Sequence, residues 1–411
     1  MKRDLPAGRR LPHPGRSNPP QGSQQGPQQG PQQGPQQAVS VGSPAAVLAV
    51  VPHLLGFVPS KSLIVIGAGP PRGRIHLTLR FDLPDPPDAG AASDIAQHAV
   101  SVLTSQRQAM AVVIGYGPGH LVTPVADLIR GEAARAGLEL RDVLRVQDGR
   151  YWSYLCREPS CCPPEGVPVD PRHPAAAAMA AAGGPVLPDR AALAASISPL
   201  GGITRQSMRQ ATRRAEAHAA DLLTLASRAG RPRAVTRLVV LEGLSAVADA
   251  LGTYRRGGRF ATDDQVAWLS LALTNLRVRD DAWARMDPDH RDAHIRLWTD
   301  VVRRAEPPYV PAAASLLAFT AWQCGNGALA NVALDRALEA DPRYSMALLL
   351  RDTIDAGTPP SMARLPMTPE EVAASYAADD ERAAAGADEP PGDDPDDDQA
   401  ARGPGRPGAP G

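Results

Sequence analysis

The sequence predicts an α/β domain followed by an all-α domain, and three observations carry that expectation. The aliphatic run Leu63-Ile64-Val65-Ile66-Gly67 has the composition of a strand covered on both faces, and it opens a segment in which strand and helix patterns alternate as far as residue 155. Beyond residue 200 the apolar spacing is helical throughout. Between the two lies a stretch dominated by proline, alanine and glycine, the composition of a connection. A length of 411 residues has room for two such domains with tails. The expected division is a Gln/Pro/Gly-rich tail over 1–40, the α/β domain over 41–171, a linker over 172–200, the helical domain over 201–357, and a short helix with an acidic tail over 358–411.

The tail carries Gln-Gln-Gly-Pro three times in tandem from Gln24, with almost nothing apolar to bury, so it cannot offset its ordering entropy. Ser43 then offers an N-cap and Pro44 a first helical position for a helix over 45–51. Pro52, Gly56 and Pro59 are expected to stop that helix and turn the chain into the first strand, 63–67. A second strand, 74–82, alternates Ile75, Leu77, Leu79 and Phe81 against polar neighbours and pairs with the first as a hairpin. Ser93 caps a helix to about residue 108. A strand over 111–115, a helix over 123–136 and a strand over 139–146 follow, in the order of βαβ crossovers. Asp148-Gly149 makes a tight turn into a strand over 151–155. The result is a mixed, partly parallel sheet of about five strands.

In the second half the expected helices are 204–228, 234–254, 262–277, 288–304, 311–323, 328–340 and 345–355, with a turn at 281–286. Thr262 and Gln265 form a capping-box pattern. Gly325-Asn326-Gly327 followed by Ala330 to Pro342 resembles one tetratricopeptide-type hairpin, without the further copies an array needs. Thr368-Pro369-Glu370-Glu371 opens one more short helix.

Charge narrows the partners. With 43 basic against 44 acidic residues the net charge is −1, so no global field favours nucleic acid or an anionic membrane. The charged start runs into glutamine repeats where a signal peptide would need an apolar core, and the uncharged run 38–58 is broken by Pro44, Pro52 and His53. Three of the four cysteines bunch within 156–162, unlike the spread of a secreted disulfide scaffold. The cytoplasm is the expected compartment.

Two stretches carry candidate chemistry. The loop Gly115-Tyr116-Gly117-Pro118-Gly119-His120 joins a strand to the helix expected to be capped by Thr123. Glycines beside a helix N-terminus allow backbone N–H groups to approach a phosphate or carboxylate, and Gly115, Gly117, Gly119, His120 and Thr123 are the candidate ligand-binding residues. The loop lacks both the Gly-x-Gly-x-x-Gly pattern and a P-loop lysine. The second stretch places Cys156, Cys161 and Cys162 together as candidate metal ligands, with His173 the nearest fourth group. Buried structural thiols and a redox or catalytic role remain alternatives. His290 and His294 have the spacing of a zinc-protease pair, but Arg291 stands where the glutamate base belongs, so a surface helix is the favoured reading. Arg205, Arg209 and Arg213 align along one helix face and read as solvated. Trp268, Trp283, Trp298 and Trp322 are expected in the core.

Several landmarks also resemble one family: Leu54-Leu55-Gly56-Phe57 with Ser62-Leu63-Ile64-Val65, Gly115-Tyr116-Gly117, Asp148-Gly149-Arg150-Tyr151-Trp152-Ser153-Tyr154, Cys161-Cys162-Pro163 and Gly327-Ala328-Leu329-Ala330-Asn331. Together they are similar to the actinobacterial family catalogued as domain of unknown function 4192, over roughly 43–357. The resemblance implies an actinobacterial, cytoplasmic protein and brings no activity, cofactor or catalytic residue with it. The functional expectation is a non-enzymatic binding or adaptor protein, with a small anionic ligand in the α/β domain and a protein partner on the helical half. An enzyme built on the glycine loop and the cysteines, and a metal-stabilised structural module, are the alternatives.

Overall fold

The computed structural model describes residues 42–69, 74–182, 186–228, 232–362 and 368–386. The expected tail over 1–40, residues 387–411 of the expected C-terminal helix and acidic tail, and the hairpin tip over 70–73 lie outside the described residues. Helix α1 (Pro44–Leu55) starts as its sequence predicts, with the Ser43 hydroxyl accepting the Ala46 N–H at 3.2 Å. It does not stop at Pro52. Proline there removes the donor for the Leu48 carbonyl and crowds that carbonyl, and the burial of Val47, Leu48, Val50, Val51 and Leu55 outweighs both costs. The helix ends where Gly56 adopts a left-handed conformation, φ 76°.

Strands β1 (Ser62–Gly69) and β2 (Arg74–Asp82) form the expected antiparallel hairpin. Helix α2 (Ala89–Ser105) begins four residues before Ser93, because the Asp88 carboxylate caps the Ala91 N–H at 2.7 Å. Strand β3 (Met110–Tyr116) then inserts beside β1 and runs antiparallel to it, with Ile64 opposite Ile114. The first strand–helix–strand unit therefore yields no parallel neighbours. Helix α3 (Gly119–Ala136) and strand β4 (Glu139–Gln147) supply the parallel pair, β3 with β4. Strands β5 (Arg150–Ser153) and β6 (Val167–Pro168) add antiparallel edges, giving the order β2-β1-β3-β4-β5-β6.

All eight residues of β1 are buried, and alternate residues face two cores. Ile64, Ile66, Ile114 and Leu144 join α1 and the helical half in one apolar cluster. Leu63, Val65, Val113 and Val143 pack with Ala96, Leu103, Val125 and Ile129 of α2 and α3. The segment expected as linker holds two helices, α4 (Pro174–Ala182) and α5 (Arg190–Ser196), and its Leu187 N–H donates to the Gly56 carbonyl at 2.8 Å. Leu193 and Ile197 enter the shared core.

The remaining helices are α6 (Gly202–Arg228), α7 (Pro232–Arg255), α8 (Asp263–Ala272), α9 (Leu276–Ala284), α10 (Arg291–Arg304), α11 (Val310–Gln323), α12 (Gly327–Ala340), α13 (Ser345–Asp355) and α14 (Pro369–Gly386). The Thr262–Gln265 capping box forms and starts α8. The single helix expected over 262–277 is broken, because Asn275 caps the Arg277 N–H at 3.0 Å and begins α9, which absorbs the turn expected at 281–286. Helix α11 is buried on every side from Val310 to Trp322 and forms a hairpin with α12 through a three-residue turn. Arg304 pairs with Asp300 on its own helix at 2.7 Å and ties α10 to α8 through Asp263 at 3.0 Å.

Candidate functional site

The sheet delivers two chemically distinct places near its β4–β5 end. The first is the connection from β3 to α3. Gly115 lies within β3, where an added Cβ would stand 2.2 Å from Val122 Cγ1, so this glycine exists for close helix–strand packing. Gly117 takes φ 148°, and its N–H donates to the Val146 carbonyl at 2.9 Å. The helix begins at Gly119, not at Thr123, and Pro124 falls inside it; burial of Leu121, Val122 and Val125 offsets the donor that Pro124 lacks. Pro118 occupies the N-cap and gives no side-chain bond. The first helical bonds are those of the Leu121 and Val122 N–H groups to the Pro118 carbonyl, so the N–H groups of Gly119 and His120 point out beyond them. Thr123, one turn in, shares a 2.7 Å hydrogen bond with the Tyr154 hydroxyl.

Residues that the sequence did not single out surround this loop. Lys61 precedes β1 with φ 42°, a conformation costly for a residue with a Cβ, and its Cα lies 3.9 Å from where Gly117 would carry one. Its ammonium donates to Asp85 at 2.6 Å, and that bond, with a smaller contribution from His120, holds the Asp85 carboxyl below its usual range. Arg145, opposite Trp152 on the β4–β5 ladder, stacks its guanidinium 3.9 Å from the indole centroid and donates to Gln147 Oε1 at 2.8 Å. The same guanidinium stands 3.6 Å from the position a Gly119 Cβ would occupy. Arg145 and Trp152 were legible in principle: counting back from the Asp148-Gly149 turn pairs 147 with 150, 146 with 151 and 145 with 152. Lys61 and Asp85 carry no such signal.

The second place is the loop after β5. Cys156, Cys161 and Cys162 bring their sulfurs within 4.8 Å of one another, and all are free thiols. The Cys156 N–H donates to Ser153 Oγ at 3.0 Å, and Ser153 donates to Asp142 of β4 at 2.6 Å. Cys161 and Cys162 both donate their N–H groups to the Glu158 carbonyl, at 3.1 and 2.8 Å, which turns the chain back over Cys156. The Glu158 N–H, followed by the Cys162 thiol, donates to the Cys156 sulfur and lowers its pKa. Burial, then donation to its two neighbours, pushes the Cys162 thiol up to about 12. His173 does not join the cluster; its Nδ1 accepts the Ala175 N–H at 3.2 Å. Trp152 connects the two places, because its indole N–H donates to the Pro164 carbonyl at 2.9 Å and its ring lies against Gly166.

The remaining candidates are accounted for by packing. His294 is fully buried, contrary to the expected surface helix, and accepts the Asp287 N–H at 3.3 Å, while His290 pairs with Asp287 at 2.7 Å. Arg205 is half-buried against Glu306 at 3.2 Å, whereas Arg209, 3.9 Å from the same carboxylate, and Arg213 are exposed, as the solvated reading expects. In a shallow groove of about 390 Å³ in the helical half, His218 meets Glu242 at 3.1 Å and Arg214 meets Asp264 at 2.6 Å.

Residues 44–361 match the family model described as "Domain of unknown function (DUF4192)". No curated protein and no solved structure matches the chain. Among the described residues no helix is long and apolar enough to cross a membrane.

Proposed function

The chain belongs to the family described as a domain of unknown function, DUF4192, and within it we propose that this protein is a non-enzymatic binding protein of the cytoplasm whose ligand is a small anion held at the start of α3. The observation that carries the proposal is the placement of the Arg145 guanidinium beside Gly119, on the same side as the helix N-terminus. The Gly119 and His120 N–H groups sit at the positive end of an 18-residue helix, where a phosphate or carboxylate is stabilised. Without side chains at 117 and 119 an anion approaches the backbone closely, and the planar fork of Arg145 matches two of its oxygens. Stacking on Trp152 holds that fork in place without neutralising it. Lys61 at the rim is already paired with Asp85 at 2.6 Å, so Arg145 is the cation the site relies on.

Thermal denaturation with inorganic phosphate, pyrophosphate and chloride at matched ionic strength tests the site, since a ligand that binds only the folded state must raise the melting temperature. Phosphate or pyrophosphate raises the wild-type midpoint above the chloride control, and Arg145→Gln abolishes the rise. An equal response to all three salts overturns the proposal.

A further inference from the structure

We propose that Cys156, Cys161 and Cys162 bind one zinc ion through three thiolates, with water as the fourth ligand, and that this centre staples the loop after β5 onto Trp152. The geometry is prepared on both sides of the cluster. Cys156 is fixed to the sheet through Ser153 and Asp142, at 3.0 and 2.6 Å, while the turn on the Glu158 carbonyl returns Cys161 and Cys162 to it. Tetrahedral zinc with bonds of about 2.3 Å sets its sulfurs roughly 3.8 Å apart. The Cys161 and Cys162 sulfurs are already 4.0 Å apart and all three lie within 4.8 Å, so closing on an ion needs small side-chain rotations.

Three thiols converging without a disulfide form a soft donor set, which selects zinc over the hard oxygen-seeking cations. Binding breaks three S–H bonds, forms three Zn–S bonds and releases three protons to solvent, with no change of oxidation state. Hydrogen bonds anchor the two ends of the loop, but apolar burial contributes little to its middle. Residues 157–161 are exposed, and Leu155 is 39% exposed, so the apolar core does not hold this segment. A metal staple supplies what burial does not. Its reach extends further, because the loop packs Gly166 on one side of Trp152 while Arg145 stacks on the ring from β4. Only this last link rests on the anion-binding proposal.

The test uses the full chain, reduced, with four thiols counted, and titrated with Zn²⁺ against a chromophoric chelator. Native mass spectrometry is expected to show one zinc per chain. Cobalt substitution is expected to give thiolate charge-transfer absorption with the visible bands of a tetrahedral site. Cys156→Ser and the double variant Cys161→Ser/Cys162→Ser lower zinc affinity at least 100-fold, whereas Cys324→Ser leaves it unchanged. Because a cysteine variant could fail to fold, chelator is also added to the wild type; it is expected to lower the melting temperature and to open the 155–165 segment to protease. No zinc retained by the fully reduced chain, or equal retention by folded Cys156→Ser, overturns the proposal. So does loss of two hydrogens on mild oxidation in a chain that binds no zinc, which identifies a disulfide pair instead. Zinc binding without any phosphate response strikes the anion proposal alone, and a phosphate response without zinc strikes this one alone.

Discussion

Arg145 and Trp152 face each other across the β4–β5 ladder, with the guanidinium 3.9 Å from the indole centroid. Gly166 lies against the same ring, and the α3 start at Gly119 lies beside the guanidinium. The stack links a loop of free cysteines to a helix N-terminus through two side chains. These contacts form a continuous chain from the cysteine loop to the start of α3.

Removing the indole tests that link. Trp152→Ala leaves Arg145 its bond to Gln147 but takes away the surface on which it stacks. A cation–π contact of about 1 kcal/mol corresponds to roughly a fivefold loss of affinity for phosphate. Titration calorimetry with pyrophosphate is the measurement. Arg145→Lys is expected to weaken binding more than Trp152→Ala, since a point charge replaces a two-pronged donor.

Gly115 gives a stability prediction independent of any ligand. A Cβ there meets Val122 Cγ1 at 2.2 Å and Cγ2 at 2.9 Å, with both residues inside packed elements. Gly115→Ala is expected to cost about 2–3 kcal/mol in urea denaturation, the range of overpacking substitutions. Val122→Ala removes the colliding methyls. The double variant Gly115→Ala/Val122→Ala is thus expected to be more stable than the sum of the two single changes predicts. Additive losses would show that the glycine is not there for the close approach.

What could be read from the sequence was local, and what could not was long-range. Ser43, the Thr262–Gln265 box and the Asp148-Gly149 turn work through groups within four residues, and each stands where its motif places it. The antiparallel insertion of β3 beside β1 has no local signature, because a buried strand presents the same aliphatic run whichever way its neighbour points. Pro52 reads locally as a helix stop, yet it sits inside a helix whose apolar face is buried on the sheet, as Pro124 does in α3. Asp88 overtook Ser93 as a cap for a similar reason: two capping residues lay in range, and only the packed structure chooses between them. The site was half legible. The glycines and cysteines announce themselves by composition, whereas Lys61 and Asp85 meet only because the Leu83 N–H bonds the Lys61 carbonyl and brings their segments together.

His294 supplies the pH prediction. Its ring is fully buried on α10, its Nε2 accepts the Asp287 N–H, and its Nδ1 has no partner among the described residues. Burial first, and the nearby Arg255 charge second, lower its pKa from 6.5 to about 4, with Asp287 opposing and His290 adding to the shift. The unfolded chain takes up a proton near pH 6.5 that the folded chain refuses until about pH 4. Stability is therefore fully present above pH 6.5 and is lost as the pH falls toward 4, by on the order of 3 kcal/mol for a shift of this size. Urea denaturation at pH 7.0, 6.0, 5.0 and 4.5, values chosen to span that window, is expected to show the decline. His294→Gln keeps an acceptor for the Asp287 N–H and has nothing to titrate, so its stability is expected to be nearly flat over the same range. A decline as steep in His294→Gln as in the wild type would place the acid sensitivity elsewhere.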